Sequence, residues 1–178
     1  AVSAALLLEQ GYEVHGAHMV CWDEGPYCTA DQDRADATKV AAKLGIPFQV
    51  FDFRSEYKKQ VIEYFFDEYE AGRTPNPDIA CNREIKFGIF LNKALELGYD
   101  FIATGHYARK RASDQQAVIR DQKKEIKYQL LAGLDKNKDQ SYFLYNLTQK
   151  QLLHTLFPVG ELTKPQVREY AARFDLPN

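Results

Sequence analysis

The chain reads as an α/β domain with a parallel sheet and flanking helices. Two observations predict this. From Ala1 to Tyr107 the apolar pattern runs helix, strand, helix, strand, helix, loop, helix, strand, the alternation that builds parallel sheets. Each helical stretch is also closed by a glycine: Gly11, Gly45, Gly72 and Gly98.

Ala1–Gln10 has high helix propensity and stops at Gly11. Tyr12–Val20 alternates and is rich in β-formers, so it reads as a strand, and Cys21–Ala30, with Gly25-Pro26, as a loop. Asp31–Leu44 spaces Ala35, Val40, Ala41 and Leu44 at helical period. Ile46–Phe53 reads as a buried strand. Ser55 is placed to cap a long helix to Ala71 whose apolar face holds Val61, Ile62, Phe65, Phe66 and Tyr69. Arg83–Leu97 is helical, and Asp100–Thr104 is a strand running into Gly105-His106-Tyr107. Beyond it, Gln116–Arg120 and Tyr128–Leu131 suggest two strands around a lysine-rich turn. Thr148–Leu153 and Pro165–Phe174 suggest helices, the second capped by Thr163. The expected division is an α/β nucleotide-binding domain over 1–112 and a hairpin insertion with helical continuation over 113–178.

Composition narrows the function classes. The 178 residues carry eleven Tyr and eleven Phe, which argues for a packed core. No apolar run suits a membrane span and no secretory signal opens the sequence. Three cysteines, an odd number, speak against a disulfide scaffold and for a reducing compartment, so the expected location is cytoplasmic. A net charge of −2 gives no global attraction to nucleic acid. Local clusters, Arg109-Lys110-Arg111, Lys123-Lys124 and Lys136 with Lys138, read as solvated surface or as phosphate contacts.

The most unusual segment is Gly72-Arg73-Thr74-Pro75-Asn76-Pro77-Asp78-Ile79-Ala80-Cys81-Asn82, followed by Ile85-Lys86-Phe87. Pro75 and Pro77 fix φ and push their predecessors to extended geometry, so Thr74–Asp78 is expected as a stiff, non-helical surface loop. A carboxylate held three residues from a thiol suits a reactive site. Arg83 and Lys86 are placed to lower the Cys81 pKa. Cys21 and Cys28 read instead as buried small hydrophobes, and with His15, His18, His106 and His154 they complete no metal motif. Ligands of parallel sheets sit at the carboxyl ends of strands, which points to Met19–Trp22, the loop after Phe53, and Gly105-His106-Tyr107. A strand-end glycine admits a flat ligand to the backbone, and equally fits a tight turn with a buried histidine.

Four ordered blocks carry a resemblance beside the Gly72–Phe87 segment: Tyr27-Cys28-Thr29-Ala30, Ile102–Tyr107, Lys138-Asp139-Gln140-Ser141-Tyr142-Phe143-Leu144, and Phe157-Pro158-Val159-Gly160. In these the chain resembles, from end to end, the tRNA-specific 2-thiouridylases of the MnmA/TrmU type. The resemblance implies a PP-loop ATP-pyrophosphatase fold, of the adenine nucleotide alpha-hydrolase-like kind. It implies an ATP-dependent enzyme, with Mg2+, that adenylates C2 of the wobble uridine of tRNA and replaces the oxygen with sulfur from a donor protein. Carried over by position, Met19 and Gly105 match ATP-binding positions, and Asn76, Pro77 and Asp78 the loop that meets the target base. Cys81 matches the first catalytic cysteine, Asp78 becomes a proton carrier, and Lys138, Asp139 and Gln140 match a tRNA-contacting segment.

The departures set further expectations. The family's Ser-Gly-Gly-Val-Asp-Ser loop belongs just before Ala1, and its persulfide-carrying cysteine shortly beyond Asn178. The chain is therefore expected to be a fragment lacking the central first strand, inactive alone, with the strands ending at Val20 and Thr104 about 10 Å apart across an unfilled position. Met19-Val20-Cys21-Trp22 stands where relatives often have Met-Lys-Asn-Trp, removing one cation. Two other functions fit the fold: another PP-loop adenylating ligase or sulfurtransferase, and a non-catalytic nucleotide-binding module.

Overall fold

The computed structural model describes residues 1–25, 28–120 and 123–177, with the backbone alone for 114–120 and 123–125. Tyr27, the tip of the lysine-rich turn, Asn178, and the side chains of Lys123 and Lys124 lie outside that description. Helix α1 (Val2–Glu9) leads to β1 (Gly16–Val20), α2 (Ala30–Leu44) and β2 (Phe48–Asp52). β1 and β2 pair in parallel, Met19 opposite Phe51. A helical run follows, made of α3 (Arg54–Tyr57), a wider π-type stretch (Lys58–Ile62) and α4 (Glu63–Glu70). Another begins with α5 (Pro77–Ala80), widens into π-type bonding over Cys81–Phe90, and ends as α6 (Leu91–Glu96).

The chain then forms β3 (Ile102–Ala103), a long antiparallel hairpin of β4 (Ala108–Arg120) and β5 (Lys123–Ala132), and a single 3-10 turn at Ser141–Phe143. It closes with α7 (Gln149–Leu153), β6 (Thr155–Leu156) and α8 (Lys164–Arg173). β6 pairs in parallel with β3, a short strand that the sequence pattern does not announce. Among the described strands β1 and β3 stand in separate two-stranded sheets and do not pair with each other. No described helix is long and apolar enough to cross a membrane.

The helix spanning 77–96 is the hub of the core. Its Ala80 and Ile85 pack with Phe51, Phe53 and Val61, while Phe87, Leu91 and Ala94 pack with Ile102, Ala108 and Leu144. One helix thus ties the β1–β2 pair to the hairpin side. α1 buries Val2 and Leu6 against Val159 and Leu176, and Arg173 pairs with Glu9 across that contact. Two close backbone approaches hold the far end: a Cβ on Gly133 would meet the Tyr107 carbonyl oxygen at 2.6 Å, and one on Gly160 the Ala108 carbonyl oxygen at 1.8 Å.

Several expectations change. Residues 46–53 are not a buried strand, because β2 has one pairing partner and Val50 remains exposed. Ser55 does not cap its helix: the turn starts at Arg54, whose N–H donates to Asp52 Oδ1 at 3.1 Å, so no loop follows Phe53. On α4, Phe66 and Tyr69 face solvent instead of core. The hairpin starts at Ala108, well before Gln116, because its charged residues find partners on the facing strand and on α7. Arg109 Nε donates to the Ala132 carbonyl at 2.7 Å, Lys110 Nζ to the Leu152 carbonyl at 2.8 Å, and Arg111 to Gln129 Oε1 at 2.9 Å. Each member of that basic cluster therefore has a hydrogen-bonded partner, and Arg111 is exposed.

Candidate functional site

Asn76 decides the local structure of the proline segment. Its backbone is extended, as a residue before proline prefers, and its Oδ1 accepts from Asp78 N–H at 3.0 Å and Ile79 N–H at 3.2 Å. Pro77 occupies the first helical position, where no N–H is needed. The stiff segment therefore ends at Asn76, and Asp78 lies in the first turn of a helix, contrary to the loop expected there. Asp78 and Cys81, three apart, stand on one helical face. Upstream, Arg73 grips Glu68 through two 2.6 Å bonds and fixes the approach to the turn.

Cys81 is half-buried against the Phe51–Val61–Ile85 cluster, together with Met19, Cys21 and Tyr57. Burial pushes its thiol above the ordinary value; Lys86 pulls it down and Asp78 pushes it up. The expected net lowering by Arg83 and Lys86 does not occur: Arg83 pairs with Glu84, and burial outweighs Lys86. Burial also raises Cys21, to about 11, with Cys81 adding to the rise. Cys28 is exposed, against the expectation of a buried hydrophobe, and its Sγ sits 3.8 Å from the Trp22 carbonyl.

The carboxyl end of β1 opens a cleft of about 250 Å³ lined by Met19, Cys21, Trp22, Cys28, Thr29 and Tyr57. Gly105 is exposed beside the first turn of α1, where a Cβ would meet only Ser3 Oγ, at 3.9 Å. His106 is half-buried, its Nδ1 2.9 Å from Thr104 Oγ1 and its ring near Phe87. Burial, then Lys86, drives its pKa down to about 4, so the imidazole is neutral at physiological pH. Gly105 thus leaves its backbone open while the neighbouring His106 is half-buried. Among the described residues no group of three His, Cys, Asp or Glu side chains is placed to hold a metal ion.

Lys138–Gln140 joins this face through hydrogen bonds. Gln140 Oε1 accepts from Tyr107 N–H at 3.0 Å, and Gln140 N–H donates to the Tyr107 carbonyl at 2.9 Å. Asp139 accepts from Gly133 N–H at 2.8 Å, Ser141 N–H at 3.1 Å and Ser141 Oγ at 2.8 Å. Lys138 is exposed. Two residues escaped sequence reasoning. Tyr57 reaches both the cleft and the Cys81 pocket, and nothing in the sequence marks it. Buried Asn82 donates to the Phe143 carbonyl at 3.3 Å, while its Oδ1 finds no donor among the described residues; its place beside Cys81 was the available signal.

The whole chain, residues 1–178, matches the family described as tRNA methyl transferase HUP domain. The chain belongs to this family. It is 53% identical over 180 residues to the tRNA-specific 2-thiouridylase MnmA of Christiangramia forsetii, covering 98% of this chain and 44% of that protein. It is 54% identical to the protein of the same name from Klebsiella pneumoniae and 53% to that from Acinetobacter baumannii, again over 98% of this chain and 46% of each relative. The chain thus spans less than half the length of these relatives. The resemblance read from the four motif blocks is borne out, and HUP-family membership agrees with the α/β fold of parallel strand pairs and helices.

Proposed function

We propose that the protein containing these residues transfers sulfur to C2 of the wobble uridine of tRNA through an adenylated intermediate, forming 2-thiouridine. The observation that carries the reading is the capped first turn of the 77–96 helix, which sets Asp78 and Cys81 on one face beside the carboxyl end of β1. ATP would lie against the open backbone at Gly105 and the cleft at Met19, with the first turn of α1 beside Gly105 favouring negative charge. Mg2+ would accompany the ATP phosphates, as hard cations that favour oxygen ligands do.

In this reading ATP adenylates the C2 oxygen and pyrophosphate leaves. Cys81 as thiolate attacks the inner sulfur of a persulfide that a donor protein has loaded on the cysteine expected beyond Asn178, forming a disulfide between the two cysteines and releasing hydrosulfide. Hydrosulfide displaces AMP, with the former C2 oxygen, at C2. Asp78 takes up the proton, and cellular thiol reduces the disulfide before the next turnover. Asn76 and Pro77 present the target base. Lys138 supplies a phosphate contact, while Asp139 and Gln140 shape the segment behind it. Residues 1–112 would carry the nucleotide site and 113–178 its continuation, in a cytoplasmic enzyme needing more than these 178 residues for activity.

The test is 2-thiouridine formation by the complete gene product carrying Cys81→Ser or Cys28→Ser. Loss in the first with retention in the second is expected. Full thiolation by Cys81→Ser overturns the role given to the thiol.

A further inference from the structure

The turn Ser141–Phe143 follows directly on the Asp139–Gln140 anchor. Its half-buried Phe143 is held to the catalytic helix, because the Phe143 carbonyl accepts from Asn82, the neighbour of Cys81. Leu144, in the next position, is buried against Phe87 and Leu91. Between and beyond these fixed points two tyrosines stand out into solvent, Tyr142 at 60% and Tyr145 at 67% exposure. The Tyr142 ring is backed by Phe143, centroids 4.0 Å apart and planes tilted by 36°. The scaffold behind the rings is therefore rigid while their faces are open.

Open aromatic faces on a fixed backbone suit unpaired bases, since every base has a π-face and stacking needs no sequence match. On the same segment the exposed charges have the sign that phosphates require, and its two carboxylates accept hydrogen bonds from the backbone. Lys136 and Lys138 are exposed, whereas Asp135 is occupied by Lys164 N–H at 2.9 Å and Asn137 N–H at 3.0 Å. We propose that Tyr142 and Tyr145 form a stacking platform for unpaired bases of the RNA loop that presents its nucleotide to Cys81. The proposal rests on the 2-thiouridylase reading and adds to it how the loop is gripped.

The experiment compares binding of the complete gene product to a tRNA anticodon stem–loop and to a blunt RNA duplex of the same stem. Tyr142→Ala and Tyr145→Ala should each weaken stem–loop binding about 5- to 150-fold, the range given by stacking of roughly 1–3 kcal/mol per base, and leave duplex binding unchanged. Tyr142→Phe should keep wild-type affinity, because the ring and not the hydroxyl makes the contact. Thermal melting should not move, both side chains being mostly in solvent. If both alanine variants bind the stem–loop like wild type while wild type still thiolates tRNA, the platform is overturned and the enzymatic reading stands. If wild type binds neither RNA nor thiolates tRNA, both fall together.

Discussion

The first turn of the 77–96 helix and the loop from Gly133 to Ser141 use their polar groups in opposite ways. In the helix turn the capping work is done by Asn76 alone, and the Asp78 carboxylate stays exposed, with no hydrogen bond from any described residue. In the loop the Asp139 carboxylate takes its donors from Gly133 and Ser141, and Gln140 clamps Tyr107 from both sides. One segment leaves its chemistry free for a ligand. The other has most of its polar capacity built into the scaffold, and only Lys138 remains outward. Both belong to the blocks that carry the family resemblance, so resemblance marks positions without saying whether they act on a ligand or hold a turn.

The comparison makes its largest claim at Asp78. Asp78→Asn keeps the shape and removes the proposed proton acceptor, so single-turnover thiolation in the complete gene product should fall by about 10²–10⁴-fold. Melting temperature should hold, since the cap belongs to Asn76. Tight ATP and tRNA binding with a slow chemical step is the expected pattern. Lost tRNA affinity with an unchanged single-turnover rate would make Asp78 a positioning residue and erase the contrast with Asp139.

Asp139 carries the next largest effect, on stability. Asp139→Ala leaves the Gly133 and Ser141 N–H groups without their acceptor, in a loop where Gly133 already sits against the Tyr107 backbone. A loss of roughly 1–3 kcal/mol is expected from such unpaired groups, read as a drop in denaturation midpoint. Burial by itself would raise this carboxyl, but hydrogen bonds from Gly133, Ser141 and Gln140 hold it below the ordinary range. A depressed folded-state pKa stabilises above the unfolded value, near 3.9, and that stability is lost as pH falls through the folded one. The variant's stability should therefore converge on wild type in acid. A midpoint difference that persists unchanged down to strongly acid pH would show that the ionised carboxylate is not what holds the loop.

How far the sequence speaks depends on whether the deciding contact is local. Gly11, Gly45, Gly72 and Gly98 end their helices with positive φ where the pattern places the stops, because that rule needs only the chain itself. The Thr163 end of α8 is similarly local: Gln166 Oε1 accepts from Thr163 N–H at 2.8 Å. What was missed depends on partners far along the chain. The 108–113 stretch is strand because Arg109, Lys110 and Arg111 meet residues at 132, 152 and 129. The rise of the Cys81 pKa comes from packing by β1, β2 and Tyr57, which outweighs a lysine visible five residues away. Met19, Asn76, Asp78 and Cys81 could be named from the motif, but the helical turn that groups the last three needed the Asn76 cap.

Lys138 gives the smallest effect and the finest test of the contrast. Its ammonium has no hydrogen-bonded partner among the described residues, and its charge already lowers the Asp135 carboxyl, so the side chain is held near this loop without being consumed by it. A single exposed lysine meeting one phosphate contributes one released counterion. Lys138→Ala in the complete gene product should leave stability within about 0.5 kcal/mol and weaken tRNA binding evenly across sequences. The plot of log affinity against log salt concentration should become shallower by about one. Because Asp139 and Gln140 act on the loop, their replacement should instead lower stability and leave that slope alone wherever the protein is still folded. An unchanged slope in Lys138→Ala would place all three residues in the scaffold and overturn the phosphate contact proposed for Lys138.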